Sequence, residues 1–209
     1  MAPKLVNDAT KKFVIASGNE EKLREISKIL GDFDCEVIPQ GKLGITSVDE
    51  IGATFVDNAM IKARHATAES GLPAIADDSG LIVDALDGKP GIHSARYAGI
   101  GVSDDDNIDK LLAELRNVRL EQRSAHFHCA VVLISSDDAV EPIVVEDQWC
   151  GQILTERRGR GGFGYDSIFF DPILKKSAAE MSNKEKNWQS HRGKAFRQLC
   201  ELLRNALSS

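Results

Sequence analysis

The segment Ala74-Ile75-Ala76-Asp77-Asp78-Ser79-Gly80 sets the tightest limit on how this chain folds. Its apolar residues read as a short buried strand, and two adjacent carboxylates follow at once. Like charges are costly inside a core, so the pattern places Asp77 and Asp78 where a strand ends at one rim of a sheet, with a turn at Ser79-Gly80. Hard cations such as Mg²⁺ take oxygen ligands and bridge to phosphates. A carboxylate pair at a rim is therefore a candidate metal and general-base site. Asp also bonds its own backbone well in turns, and on these residues alone turn capping is the simpler account.

Strand–helix alternation frames that segment. Phe13-Val14-Ile15-Ala16 is a compact apolar strand, followed by Ser17-Gly18-Asn19 and a helix with Leu23, Ile26, Ile29 and Leu30 on one face and Gly31 as its stop. Cys35 to Pro39 reads as extended. A second helix runs from Thr54 to Ser70, with Thr54 and Asp57 spaced as a capping box and Gly71 and Pro73 behind it. A third starts at Ser103 and carries Ile108, Leu111, Leu112 and Leu115 on one face, with acids at its positive end.

Beyond these, Phe127 to Ile134 and Ile143 to Leu154 read as a long antiparallel hairpin around Asp137-Asp138. Arg157 to Gly164 is a Gly/Arg loop leading into a strand from Ser167 to Phe170. A short helix near Ser182 to Gln189, capped by Ser182 and Glu185, precedes a longer one to Ala206. The expected fold is α/β, a mixed central sheet with helices, in one domain over residues 1–209.

Composition narrows the partners. A net charge of −6 over 209 residues argues against broad nucleic-acid binding, which needs a basic face. Cys35, Cys129, Cys150 and Cys200 show no C-x-x-C spacing and read as reduced packing residues. No run is long or apolar enough to span a bilayer. The start, with Lys4, Asp8, Lys11 and Lys12 before the first strand, lacks the apolar stretch of a signal peptide. Cytoplasm is the default.

Several short patterns carry possible chemistry. Ser17-Gly18-Asn19-Glu20-Glu21-Lys22 sits where a strand meets a helix N-terminus, a natural anion site; it is also what any strand–helix turn looks like. Glu50 is a possible second metal ligand or a solvated loop acid. Asn58 and Lys62, four apart, point either into a cleft or along a polar outer stripe. Gly161-Gly162-Phe163-Gly164-Tyr165-Asp166 offers an aromatic face for a flat ligand, with Asp166 in reach of ring N–H donors; inward-packed aromatics explain it equally well. His191 and Arg192, with Lys186 upstream, could donate to a carbonyl or a phosphate or simply face solvent. His126 and His128 alternate on one strand and read as sheet-surface or packing residues rather than metal ligands.

The order of the patterns is more specific than any one of them. Ser-Gly-Asn-x-x-Lys (17–22), Thr-Phe-x-x-Asn-Ala-x-x-Lys-Ala-Arg (54–64), Ala-Asp-Asp-Ser-Gly-Leu (76–81), Pro-Gly-x-x-Ser-Ala-Arg-Tyr (90–97), Gly-Gly-Phe-Gly-Tyr-Asp (161–166) and Ser-His-Arg-Gly (190–193) follow one another. This resembles the inosine/xanthosine triphosphate pyrophosphatase family from about Phe13 to Leu203. The resemblance implies a homodimer of elongated subunits, each with two lobes forming a nucleotide cleft.

It also implies roles. Ser17, Gly18, Asn19 and Lys22, in the segment that includes Glu20 and Glu21, would hold the triphosphate. Glu50 and Asp78 would bind Mg²⁺, Asp78 would accept the proton of the attacking water, and Ser79 would contact substrate. Phe163, Gly164, Tyr165 and Asp166 would line the nucleoside pocket, with Lys186, His191 and Arg192 reading the base. Ser167 departs from the proline the family often has after Tyr-Asp, and Arg158 and Arg160 load the preceding loop with charge. The implied reaction cleaves inosine, deoxyinosine or xanthosine triphosphate into monophosphate and pyrophosphate. The alternatives are a pyrophosphatase for other modified nucleotides and a non-catalytic nucleotide-binding regulator.

Overall fold

Alternating strands and helices dominate the computed structural model, which describes residues 12–31, 35–137 and 139–207. Lys4, Asp8, Lys11 and Asp138, named above, lie outside the described residues. Seven strands form one sheet: β1 (Lys12–Ile15), β2 (Glu36–Pro39), β3 (Ala74–Val83), β4 (Ser124–Ile134), β5 (Ile143–Ile153), β6 (Phe169–Asp171) and β7 (Lys176–Ser177), in the order β2-β1-β3-β4-β5-β6-β7. β1 pairs in parallel with β2 and β3, whereas β6 pairs antiparallel with β5 and β7, so the sheet is mixed as expected. The chain divides into two compact units. One comprises 1–78, 129–147 and 192–209, the other 79–128 and 148–191.

In the first unit both faces of the sheet are covered. Phe13, Ile15 and Ile75 point to one side and pack with α1 (Glu20–Leu30) and α5 (His191–Leu207) through Ile26, Leu30, Phe196 and Leu199. Val14, Ala16, Ala74 and Ala76 point to the other side and meet Ala59, Ala63 and Ala66 of α2 (Phe55–Ser70). The period of two along a strand separates the two sets. Alanines in both layers let α2 lie close to the sheet. The caps predicted for α2 are in place, with Thr54 and Asp57 closing a capping box and Gly71 stopping the helix at φ +67°, and Asn19 caps α1 by accepting the Lys22 amide.

The second unit packs α3 (Asp104–Glu114) over the other halves of β3, β4 and β5, with Leu81, Val83, Ile108, Leu111 and Leu115 at the contact. Ser103 caps α3 and Ser182 caps α4 (Asn183–Gln189), each with the acid three residues on. An aromatic group sits at its centre. The rings of Phe127 and Phe169 lie 4.6 Å apart, and those of Trp149 and Phe169 4.8 Å apart. The Trp149 indole N–H donates to the buried Asp171 carboxylate at 2.7 Å. His126 and His128 are half-buried while Ala125, Phe127 and Cys129 are buried, which is the predicted alternation. The four cysteines are free thiols, Cys150 exposed.

The structure departs from expectation at the acidic segment. β3 does not turn at Ser79-Gly80. It continues to Val83, so Asp77 and Asp78 lie in mid-strand, both buried. A strand interior tolerates them because cations from neighbouring elements reach each one. The strand expected over 167–170 is displaced to Phe169–Asp171 by a 3₁₀ turn at Gly164–Ser167, and its partner β7 was not foreseen.

Replacing Trp149 with Phe keeps the ring stack but strips Asp171 of its indole donor. A loss of about 1–3 kcal/mol is expected, the usual cost of a buried acceptor deprived of its partner. Urea unfolding of Trp149→Phe against the parent measures it, and an unchanged midpoint would show the indole bond to be neutral.

Candidate active site

Adjacent residues on a strand project to opposite faces, and this splits the acidic pair. Asp77 shares the Ile75 side, where Lys22 of α1 places its ammonium 3.1 Å from Asp77 Oδ2 and Arg192 of α5 places Nε 3.2 Å from the same atom. Arg192 also reaches Glu25 with Nη1 at 2.5 Å. Asp78 shares the Ala76 side, facing α2. Asn58 donates to Asp78 Oδ2 at 3.1 Å, and Lys62 lies 3.4 Å from Asp78 Oδ1 and 2.7 Å from Glu50 Oε1. Asp77, Asp78, Asn58 and Arg192 are at most 5% exposed.

Asn58 joins the loop carrying Glu50 to the strand carrying Asp78. Its side-chain oxygen accepts the Gly52 amide at 2.8 Å while its nitrogen donates to Asp78. A Cβ at Gly52 would stand 2.7 Å from that oxygen, so only glycine lets the loop come so near. Asn58 and Lys62 therefore point inward, which settles the choice left open by their spacing. Glu50 and Asp78 both direct an oxygen at the Lys62 ammonium, so two carboxylates already bracket one cation position. Among the described residues no group of three or more His, Cys, Asp or Glu side chains is arranged to hold a metal ion. A pair of carboxylates matches what Mg²⁺ takes from protein when phosphates and water complete its shell.

The β1–α1 turn closes on the capped start of α1. Ser17 Oγ accepts the Asn19 amide at 3.2 Å, and Asn19 Oδ1 caps the Lys22 amide at 2.9 Å. The first-turn amides of Glu20 and Glu21 have no intrahelical acceptor, as at any helix start. A Cβ at Gly18 would lie 3.0 Å from Ser47 Oγ. The side chains of Glu20 and Glu21 turn outward to Arg24, at 3.6 and 3.7 Å, and do not join the group.

A second cluster occupies the other unit. Asp166 Oδ2 accepts both the Phe163 amide, at 2.9 Å, and the Lys186 ammonium, at 2.5 Å. Lys186 Nζ also sits 4.7 Å over the Phe163 ring centre. The Tyr165 hydroxyl donates to the Ser94 carbonyl at 2.8 Å, and its ring belongs to the core. The buried His191 ring stacks on Phe127 at 4.8 Å with the planes 11° apart. Ser79, half-buried, follows Asp78 directly on β3. Arg158 is tied to Glu180 at 3.1 Å, so its charge is answered from the 3₁₀ turn at Ala178–Glu180.

The structure thus groups Lys22, Glu50 and Asp78 with Asp77 and Arg192, and separately groups Phe163, Asp166 and Lys186. Sequence reasoning missed Glu25, for which no pattern exists, and gave Lys62 no role, though its spacing from Asn58 was the available clue. Burial holds the Asp78 carboxyl above its usual range, against the pull of Lys62 and Lys22. Burial alone would weaken the Lys62 ammonium, but Asp78, Asp77 and Glu50 together raise it above the ordinary lysine value.

Residues 13–202 match the model of the Ham1 family. The dITP/XTP pyrophosphatase of Pectobacterium atrosepticum is 53% identical over 195 residues, covering 93% of this chain and 99% of that protein. The dITP/XTP pyrophosphatase of Methylococcus capsulatus is 52% identical over 93% of this chain and 96% of its own length. The solved HAM1 protein from Coxiella burnetii has a TM-score of 0.85 at 44% identity, over 93% of this chain and 98% of that one. The Staphylococcus aureus Ham1 protein has a TM-score of 0.82 at 39% identity, over 93% and 98%.

A raised acid in the fold has a stability signature. Below the unfolded carboxylate range Asp78 is protonated in both states and costs nothing; as pH rises through its folded value the ionised form is increasingly penalised. The melting temperature of Asp78→Asn minus that of the parent should therefore rise as pH climbs through the carboxylate range, on top of a constant offset from the lost Lys62 contact. Thermal melts across that range test this, and a difference that stays flat or falls as pH rises would refute it.

Proposed function

The chain belongs to the Ham1 family, and from that premise we propose that it hydrolyses inosine, deoxyinosine and xanthosine triphosphates to the monophosphate and pyrophosphate, removing them from the nucleotide pool. The reaction is water attacking the α-phosphorus in line with the departing pyrophosphate. The observation that carries this reading is the buried Asp78, bracketed with Glu50 around one cation position, on the same unit as Lys22 and the β1–α1 turn. Close relatives named dITP/XTP pyrophosphatase over nearly their whole length support it.

Each residue has a definable task. The turn at Ser17-Gly18-Asn19, with the first-turn amides and Lys22, binds phosphoryl oxygens. Asp78 orients the attacking water and takes its proton. Lys62 holds Asp78 and Glu50 in register. A Mg²⁺ held by Glu50 and Asp78 supplies charge neutralisation for the leaving pyrophosphate when bound.

Phe163 provides a face for the purine, and Lys186 offers a donor to its 6-carbonyl. Adenine carries an amino group there and leaves that donor unanswered, a costly mismatch in a buried site. His191 and Arg192 join the base-reading set in this proposal, and Ser79 and Tyr165 its surroundings. Arg192 in addition neutralises Asp77 and Glu25, so its removal tests folding more than specificity. A homodimer in the cytoplasm is the setting we propose. No helix of the described residues is long and apolar enough to cross a membrane.

The deciding assay scores phosphate released from ITP, XTP, GTP and ATP with Mg²⁺, in the presence and absence of added inorganic pyrophosphatase. Phosphate that depends on the added enzyme, from ITP and XTP before ATP, is the expected result. Asp78→Asn should abolish turnover while still binding ITP by calorimetry; near-parent turnover would remove Asp78 from its role. Lys186→Met should narrow the ITP/ATP preference by at least about tenfold, the equivalent of one lost hydrogen bond. An unchanged ratio would place base reading elsewhere.

A further inference from the structure

The glycine loop that presents Phe163 has little of its own to hold it. Gly162 and Gly164 adopt φ of +75° and +56°, a region that glycine enters without preferring it. A Cβ at Gly162 would collide with the Asp166 carboxylate, so the loop's shape depends on glycine and on outside anchors. Two carboxylates supply them. Asp166 accepts the Phe163 amide at 2.9 Å. Asp104, the first residue of α3, accepts the Gly164 amide at 2.6 Å. The amides on both sides of the Phe163 Cα are thereby fixed, from two different elements.

We propose that Asp104 is a positioning residue for substrate recognition: by holding the Gly164 amide it sets the angle at which the Phe163 ring meets the purine. This rests on the functional reading above, which takes Phe163 as the face for the base. Asp104 opens α3 directly after Ser103, and the Ser103–Asp106 capping box makes no contact with the carboxylate that takes the Gly164 amide. A carboxylate at the positive end of that helix is a charge-assisted acceptor for the amide. Arg157, at the entrance of the loop, reaches Asp109 at 2.7 Å and Asp105 at 3.3 Å. Those pairs are exposed and contribute only tenths of a kilocalorie each. The acids along the first turns of α3 thus serve the loop as well as the helix.

The test compares Asp104→Ala, Asp104→Asn and Ser103→Ala. Asp104→Ala should raise KM for ITP by about five- to tenfold with kcat within about twofold, the pattern of weakened binding with intact chemistry. Asp104→Asn keeps an oxygen that accepts the Gly164 amide and should return KM close to the parent. Ser103→Ala weakens the same helix start without touching Gly164, and should lower the melting temperature while leaving KM unchanged. A parent-like KM in Asp104→Ala, an Asp104→Asn variant as impaired as the alanine, or an equal rise in KM in Ser103→Ala would each overturn the proposal. Amide exchange supplies a readout independent of turnover: the Gly164 amide should exchange at least about tenfold faster in Asp104→Ala than in the parent. Unchanged exchange overturns the clamp. A parent chain that releases no pyrophosphate from ITP overturns the functional reading instead, and the exchange result still decides whether the clamp exists.

Discussion

Two neighbouring carboxylates inside a β-strand, each answered from a different face of the sheet, are the constraint on which the first unit depends. A buried charge without a partner costs several kilocalories, and removing one member of a buried pair leaves the other stranded. Asp77 and Asp78 avoid this because the strand's period of two aims Asp77 at Lys22 and Arg192 and Asp78 at Asn58 and Lys62. α1, α2 and α5 thus each contribute a polar contact as well as an apolar face. The helices that complete the core also keep the acids ionisable.

That balance is tilted toward chemistry rather than stability. Asp78 retains a raised pKa despite two nearby lysines, because desolvation outweighs their attraction. A site free to maximise stability would place a neutral residue there. Lys62 spans Asp78 and Glu50 and holds both carboxylates around one ammonium. Asn58 fixes the geometry by bonding the Glu50 loop with one end of its amide and β3 with the other.

The second unit solves a different problem, presenting a flat apolar surface on a loop. Glycines give the loop its shape, and Asp166 and Asp104 give it rigidity by holding consecutive amides. Lys186 over the Phe163 ring adds a buried donor beside that surface. Tyr165, two residues on from Phe163, turns into the core and bonds the Ser94 carbonyl.

The sequence by itself determined the helices and their caps, because Thr54–Asp57, Ser103–Asp106, Ser182–Glu185 and the stops at Gly31 and Gly71 are local chemistry, complete within a turn of chain. It determined the alternation on β4 for the same reason. The order of its short motifs pointed to the family whose model the chain matches. Tertiary structure alone decided that β3 runs straight through Asp77 and Asp78, since the cations that make this tolerable come from residues 22, 62 and 192. It alone decided that Glu25 faces Arg192 and that Asp104 holds Gly164. Those partners lie far apart in the chain, and a charge carries no mark in the sequence of which distant opposite it will meet once the core has closed.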